Sequence, residues 1–181
     1  MRVITGTARG RRLEELPGLD TRPTTSRVKE GLFSAIQFDI EGRRALDLFA
    51  GTGQLGIEAI SRGAAWCDFV DSSPAAMKIV RRNAESCGFS DRAGFHQKDF
   101  AAFLDRAGEK YGLVFLDPPY ASGGLEKALE RIAAIDIVAG NGIIVCESPA
   151  ESALPGLPEP YEKGREYRYG KTKVTLYRRK A

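Results

Sequence analysis

Histidine is nearly missing from this chain of 181 residues, and the one present, His96, falls in a predicted strand. Neither a metal cluster nor a Ser-His-Asp arrangement can be assembled around it, so no metal is expected and its role reads as structural. Cysteine is scarce as well. Cys67, Cys87 and Cys146 are odd in number and show no CxxC spacing, which excludes a disulfide framework and a zinc site. All three read as small core or near-core residues. No apolar run approaches the roughly 18 residues that a membrane helix needs, and the opening MRVITG lacks the long apolar segment of a signal peptide. A cytoplasmic protein without membrane contact is expected. There is no internal repeat and no low-complexity tail.

What is present suffices for a packed core. With 43% hydrophobic residues, one domain over 1–181 is expected, made of a basic N-terminal hairpin or extension (1–25) and a core (26–181). The net charge of +3 says little until it is divided along the chain. Residues 1–29 hold seven basic and three acidic side chains, and residues 161–181 hold eight and two, against 12 basic and 19 acidic between them. If the two basic ends meet beside a binding site, they form a cationic rim suited to a nucleic-acid backbone.

The stretch from Ala45 to Ile60, ALDLFAGTGQLGIEAI, organises the rest. Its apolar start suits a strand buried on both faces of a parallel sheet, and Gly51, Gly53 and Gly56 then permit a tight turn and close approach of a ligand to bare backbone. GTGQLG is formally the GxGxxG of a dinucleotide site, with Asp71 lying 20 residues beyond Gly51, where a ribose-binding acid is expected. Asp47 separates the possible ligands. A carboxylate four residues before the first glycine repels a pyrophosphate, whereas the ammonium and sulfonium of S-adenosylmethionine (SAM) are attracted to it.

In chain order, Arg2 to Thr5 can pair near Arg12 and Leu13 as a basic hairpin carrying Arg9 and Arg11. Arg22-Pro23 is extended, and Thr24, Thr25 or Ser26 caps a helix whose Val28, Leu32, Ala35 and Ile36 follow helical spacing. Arg27 and Lys29 lie near its positive end, where an external anion is their expected partner. Strands are predicted at 66–70, 93–97, 112–116 and 143–146, with helices from Ser73-Pro74 to near Gly88 and from Leu125 to Ile135. Alternation of this kind implies right-handed crossovers, a parallel sheet with helices on both faces, and ligands at the strand C-termini. Asp71, Asp99 and Asp117 all fall at such ends. After a proline-rich loop, Glu162–Tyr167 and Lys173–Tyr177 form a closing antiparallel hairpin turned at Tyr169-Gly170.

The strand ending at Leu116 runs into Asp117-Pro118-Pro119-Tyr120. An exocyclic amino nitrogen on a nucleobase is a poor nucleophile because its lone pair is delocalised into the ring. Asp117 can accept one of its N–H groups and the Pro118 carbonyl the other, turning the developing lone pair toward a SAM methyl. Pro118 and Pro119 stiffen that acceptor pair, and Tyr120 offers a face on which an extruded base stacks.

At these residues the sequence resembles the RsmD family of bacterial 16S rRNA (guanine-N2)-methyltransferases, over nearly the whole chain. The likeness rests on RVITGTARGRRL, TRPTTSRVKEGLF, LDLFAGTGQLGIEAISRGA, VFLDPPY and YGKTKVTLY. The glycine turn and DPPY are shared by many methyltransferases, whereas the arginine opening with RPT is much more specific. Departures are Asp71, where glutamate is more usual, Ser26 for aspartate, and Thr5 for the first glycine of the opening pair. The resemblance implies a Rossmann-like class I SAM-dependent methyltransferase, an α/β fold with a mostly parallel seven-stranded sheet. It implies transfer to N2 of one guanine, position 966 in rRNA numbering, in 16S rRNA of the small ribosomal subunit or its assembly intermediate, by a monomer. Asp71 would contact the ribose hydroxyls and Asp99 the adenine amino group. The candidate cofactor site is then Asp47, Phe49, Ala50, Gly51, Gly53, Asp71, Ser72, Asp99 and Phe100, and the catalytic set is Asp117, Pro118, Pro119 and Tyr120. Arg9, Arg11, Arg22, Arg27, Arg168 and Lys171 are the candidate RNA contacts. Other readings stay open: a DNA adenine or cytosine amino methyltransferase, which lacks room here for a recognition domain; an NAD-dependent oxidoreductase built on GTGQLG; and a non-enzymatic RNA-binding module.

Overall fold

The computed structural model describes residues 1–17 and 25–181. Its centre is a seven-stranded sheet in the order β3-β2-β1-β4-β5-β7-β6. The strands are β1 (Arg44–Asp47), β2 (Trp66–Asp71), β3 (Ala93–Gln97), β4 (Tyr111–Leu116), β5 (Val138–Pro149), β6 (Tyr161–Tyr169) and β7 (Thr172–Arg179). β1 to β5 run parallel, while β7 pairs antiparallel with both β5 and β6. The chain leaves β1 toward β2 on one side and β4 toward β5 on the other, so the strand order reverses between β1 and β4. A ligand crevice belongs at such a switch point.

Among the described residues five α-helices cover the sheet: α1 (Ser26–Ala35), α2 (Gln54–Ser61), α3 (Pro74–Ser86), α4 (Phe100–Asp105) and α5 (Gly124–Ile135). Alternation along β4 shows why both faces need cover. Leu113 and Phe115 pack in one apolar layer with Leu32, Phe33, Ile57 and Val80, and Val114 and Leu116 pack in the other with Phe103, Leu104, Leu129 and Ile132. Helix ends follow local chemistry. Thr25 caps α1 by accepting the Val28 amide, and Ser73 caps α3 by accepting the Ala76 amide, with Pro74 in the first turn. None of the helices among the described residues is long and apolar enough to cross a membrane.

The expected strands and longer helices are present, with three differences. α4 was not expected; six residues behind the Asp99 cap are too few to show a helical period. β5 is 12 residues rather than four, because it starts at Val138, five residues ahead of Ile143, and continues through polar Glu147 and Ser148 to Pro149. The N-terminal hairpin shrinks to a single Arg2–Arg12 bridge with flanking bonds from Val3 N to Arg11 O and Leu13 N to Met1 O. It is held from below, where the buried Glu58 carboxylate on α2 accepts the Ile4 and Thr5 amides and Arg62 Nε.

Lys29 corrects a sequence expectation. It is 2% exposed, its Nζ donates to the Arg2 carbonyl at 2.9 Å, and it stands 3.6 Å from Glu58, so it ties α1 to α2 and the hairpin instead of meeting an outside anion. Burial lowers its pKa, and the Glu58 charge opposes that. His96 has the structural role foreseen. Its Nε2 lies 2.9 Å from Asp68, whose buried carboxylate also accepts from Trp66, Tyr111 and Arg44. Burial works against the Asp68 charge, but these donors outweigh it and hold the group below the usual carboxylate range.

Candidate active site

Past β1 the chain stays bonded to its neighbours for three residues, with Leu48 N donating to Phe115 O and Ala50 N to Val70 O. It then turns sharply. Gly51 has φ +55° and Gly53 φ +80°, both left-handed, and Gly53 N closes the turn on Ala50 O at 2.7 Å. A side chain is strained at either position. Gly53 starts α2 with no side-chain cap, leaving the first-turn amides to other acceptors. One of these, Gly56 N, goes to Asp47 Oδ2 at 3.1 Å. Gly56 serves packing: a Cβ there would lie 2.4 Å from the Phe69 ring and 2.6 Å from Cys67 Sγ.

Asp71 at the end of β2 braces the turn from the side. Its Oδ2 accepts the Gly51 amide at 2.8 Å and its Oδ1 the Ser73 amide at 2.9 Å, and each oxygen retains a second lone pair for a ligand hydroxyl. Asp99 caps α4 through the Ala101 amide. Next to it Phe100 meets Phe49 with ring centroids 5.1 Å apart, an apolar clamp from two separate loops. From the end of β4, Asp117, Pro118, Pro119 and Tyr120 complete the wall. The Pro119 carbonyl accepts both the Ser122 amide and the Ser122 hydroxyl, fixing the turn, and Tyr120 is 40% exposed with its hydroxyl 3.3 Å from Thr172 Oγ1 on β7.

These loops enclose one cavity of about 1090 Å³. The candidates Asp47, Phe49, Ala50, Gly51, Asp71, Ser72, Asp99 and Phe100 line it, as do all four residues of DPPY. Gly53 shapes the turn behind it. Of the basic candidates, Arg168 and Lys171 line the cavity from the β6–β7 hairpin, and Arg168 is ion-paired with Glu151. Arg9, Arg11 and Arg27 are exposed outside the lining, and Arg22 lies outside the described residues. Glu147, two residues before the end of β5, also lines the cavity and was missed. The signal was available, since it ends the apolar run IIVC as Asp117 ends VFL.

The chemistry of the lining fits a cationic, sugar-bearing cofactor. Asp47 is fully buried, and burial pushes its carboxyl up to about 7, partly offset by the Gly56 amide. Among the described residues it has no cationic side chain paired with it, so the ammonium of a methionine moiety would supply the missing charge. With Asp71, Asp99, Asp117 and Glu147 also in the lining, a pyrophosphate would meet mostly carboxylates, which disfavours a dinucleotide. The same lining residues would hold SAM: Asp47 the amino end, Asp71 the ribose, and Asp99 with Phe49 and Phe100 the adenine.

A mostly parallel seven-stranded sheet with an antiparallel closing hairpin, an acidic strand end before the glycine turn and DPPY on the same cavity define a Rossmann-like SAM-dependent methyltransferase. A family model, described as Conserved hypothetical protein 95, matches residues 1–178. The Ribosomal RNA small subunit methyltransferase D of Escherichia coli (strain K12) is 34% identical over 183 residues, covering 100% of this chain and 91% of that protein. YlbH of Bacillus subtilis (strain 168) is 38% identical over 183 residues, covering 99% and 100%. The solved structure of yhhF from Escherichia coli superposes with a TM-score of 0.89 at 32% identity, covering 100% of this chain and 98% of that one. The chain belongs to the RsmD family of methyltransferases.

Proposed function

We propose that this enzyme transfers the methyl group of SAM to the exocyclic N2 of a guanine in 16S rRNA, position 966, presented on the small ribosomal subunit or an assembly intermediate. The observation that carries the reading is that DPPY and the glycine turn end on one cavity, so an amino group held by the first faces a cofactor held by the second. When bound, SAM supplies a methyl group on a sulfonium, which leaves as a neutral thioether.

The chain's own groups do the rest. Asp117 accepts one N–H of the guanine amino group and the Pro118 carbonyl accepts the other, so the nitrogen lone pair turns out of the ring plane and toward the methyl carbon. SAM held by Asp47, Asp71 and Asp99 would supply its methyl carbon to this nitrogen, and the surplus proton on nitrogen would pass to Asp117 or to water. Tyr120 stacks on the extruded base, a contact typically worth about 1–3 kcal/mol. Arg9, Arg11 and Arg27 outside the cavity and Arg168 and Lys171 on its rim hold the RNA backbone together with Arg22, and one chain carries every group required, so it acts as a monomer.

The test is transfer of labelled methyl from SAM to unmodified small subunits, naked 16S rRNA and DNA in parallel, with Asp117→Ala as control. Label in a single rRNA guanine, lost in the variant, is expected. Label in DNA alone would keep the site chemistry and discard the ribosomal substrate, and no label anywhere would return the protein to a binding role.

A further inference from the structure

The hairpin that opens the chain carries Arg9 and Arg11, yet both of its ends reach the cofactor cavity. Met1 lines that cavity, and so do Glu15 and Leu16, together with Thr52 of the glycine turn. Thr52 Oγ1 lies 3.7 Å from Met1 Sδ, and the Leu13 amide donates to the Met1 carbonyl, so the two ends are held side by side. A second fastening is a single side chain. Asn83 of α3 is 1% exposed and lies outside the cavity lining. Its Oδ1 accepts the Glu14 amide at 2.8 Å, and its Nδ2 donates to the Glu14 carbonyl at 3.1 Å and to the Thr52 carbonyl at 2.9 Å. Both N–H groups of the amide are engaged, one on the hairpin and one on the turn between Gly51 and Gly53.

Resting on the proposed RNA reading, we infer that Asn83 is a positioning residue that joins the cofactor turn to the limb of the hairpin carrying Arg11, so that cofactor and RNA bind cooperatively. Arg11 lies three residues ahead of Glu14 on that limb. The incoming limb is fixed to α2 by Glu58, whereas the outgoing limb is fixed at Asn83. A two-stranded pairing this small is not stable alone, so its order depends on what it is fastened to. A cofactor that fills the cavity braces the Met1 and Leu16 wall and the turn together, and Asn83 passes that order to the limb. RNA that holds Arg11 steadies the same wall from the other side. Linkage makes the two effects equal, each ligand tightening the other by one factor.

The experiment measures affinity for the RNA that accepts label in the assay above, with and without saturating S-adenosylhomocysteine, whose neutral sulfur keeps the sulfonium charge out of the comparison. Wild type is expected to bind RNA about five- to fiftyfold more tightly with the nucleoside present, within the range usual for coupled sites. Asn83→Asp keeps the size of the side chain and an acceptor for the Glu14 amide but removes both donated bonds, so the factor should collapse to near one. Arg27→Gln, on α1 rather than the hairpin, should weaken RNA binding yet keep the factor. A merely structural defect at Asn83 would weaken each binding step and leave their ratio as it was.

An unchanged factor in Asn83→Asp would overturn the inference, and so would wild-type RNA affinity indifferent to S-adenosylhomocysteine. Both results leave methylation of rRNA standing. Hydrogen exchange on wild type decides the matter should Asn83→Asp fail to fold. The nucleoside alone should slow exchange of the Glu14 amide by about tenfold or more, and unchanged exchange there would also overturn the inference. Wild type that binds S-adenosylhomocysteine but no RNA would instead remove the RNA reading, and this inference with it.

Discussion

Asp47 holds its proton up to about pH 7 in the folded chain, whereas an unfolded aspartate releases it near 3.8. Between those values the native state binds more protons than the unfolded one, so the stability of the cofactor-free protein falls as pH rises through that window, by up to roughly 4 kcal/mol. Urea denaturation at pH 5 and pH 7.5 should show this slope in wild type and its loss in Asp47→Asn. The same variant should bind SAM more weakly, because the amide offers no charge to an ammonium. Wild-type affinity should rise from pH 6 to pH 8 as Asp47 ionises, which calorimetry would measure. This residue was legible in the sequence, as were Asp71, Asp99 and Asp117, since a carboxylate that terminates an apolar run has few structural reasons to be there. Glu147 escaped because Pro149 and the prolines after it gave ESP the look of a loop, although the strand runs through it. Lys29 was misjudged for a different reason: its partner Glu58 lies on another helix, and burial of that pair comes from packing that no local pattern encodes.

α2 is the element most exposed to small changes, because it lies directly on β2. In Gly56→Ala the added methyl would overlap the Phe69 ring and Cys67 Sγ, so α2 must lift. Overpacking of this order costs about 1–3 kcal/mol, and a lowered urea midpoint together with weaker SAM binding would be the expected result. Farther along the helix, Glu58→Ala would strand the buried Lys29 ammonium and free the Ile4 and Thr5 amides, at a cost of about 3–5 kcal/mol. Hydrogen exchange should show those two amides losing protection while the β1 and β4 amides keep theirs, provided the variant stays folded. The strands and the longer helices were readable because period and punctuation agree over six or more residues. α4 was invisible for want of length, and the N-terminal pairing was overestimated because its support comes from a helix about 50 residues away rather than from its own strands.

On the scale of the molecule the two basic ends approach one another. A Cβ on Gly31 of α1 would lie 2.3 Å from the Tyr169 hydroxyl, so the last residue of β6 nests against α1. Burial pushes the Tyr169 phenol up, and the charge of nearby Arg27 pulls the other way. If this side of the protein tracks the RNA backbone, single neutralisation of Arg9, Arg11, Arg27 or Lys171 should flatten the salt dependence of RNA binding by about 0.7–0.9 per lost contact, read from log affinity against log salt. An unchanged slope would remove the rim. The cysteine beneath Gly56 gives the molecule a built-in clock. Burial holds the Cys67 thiol protonated and out of reach, while Cys87 is half-buried at the end of α3. A thiol-alkylating reagent should therefore modify Cys87 first and Cys67 only when α2 rises from the sheet, so that the rate of Cys67 alkylation reports how often the cofactor loop opens, and saturating SAM should slow it.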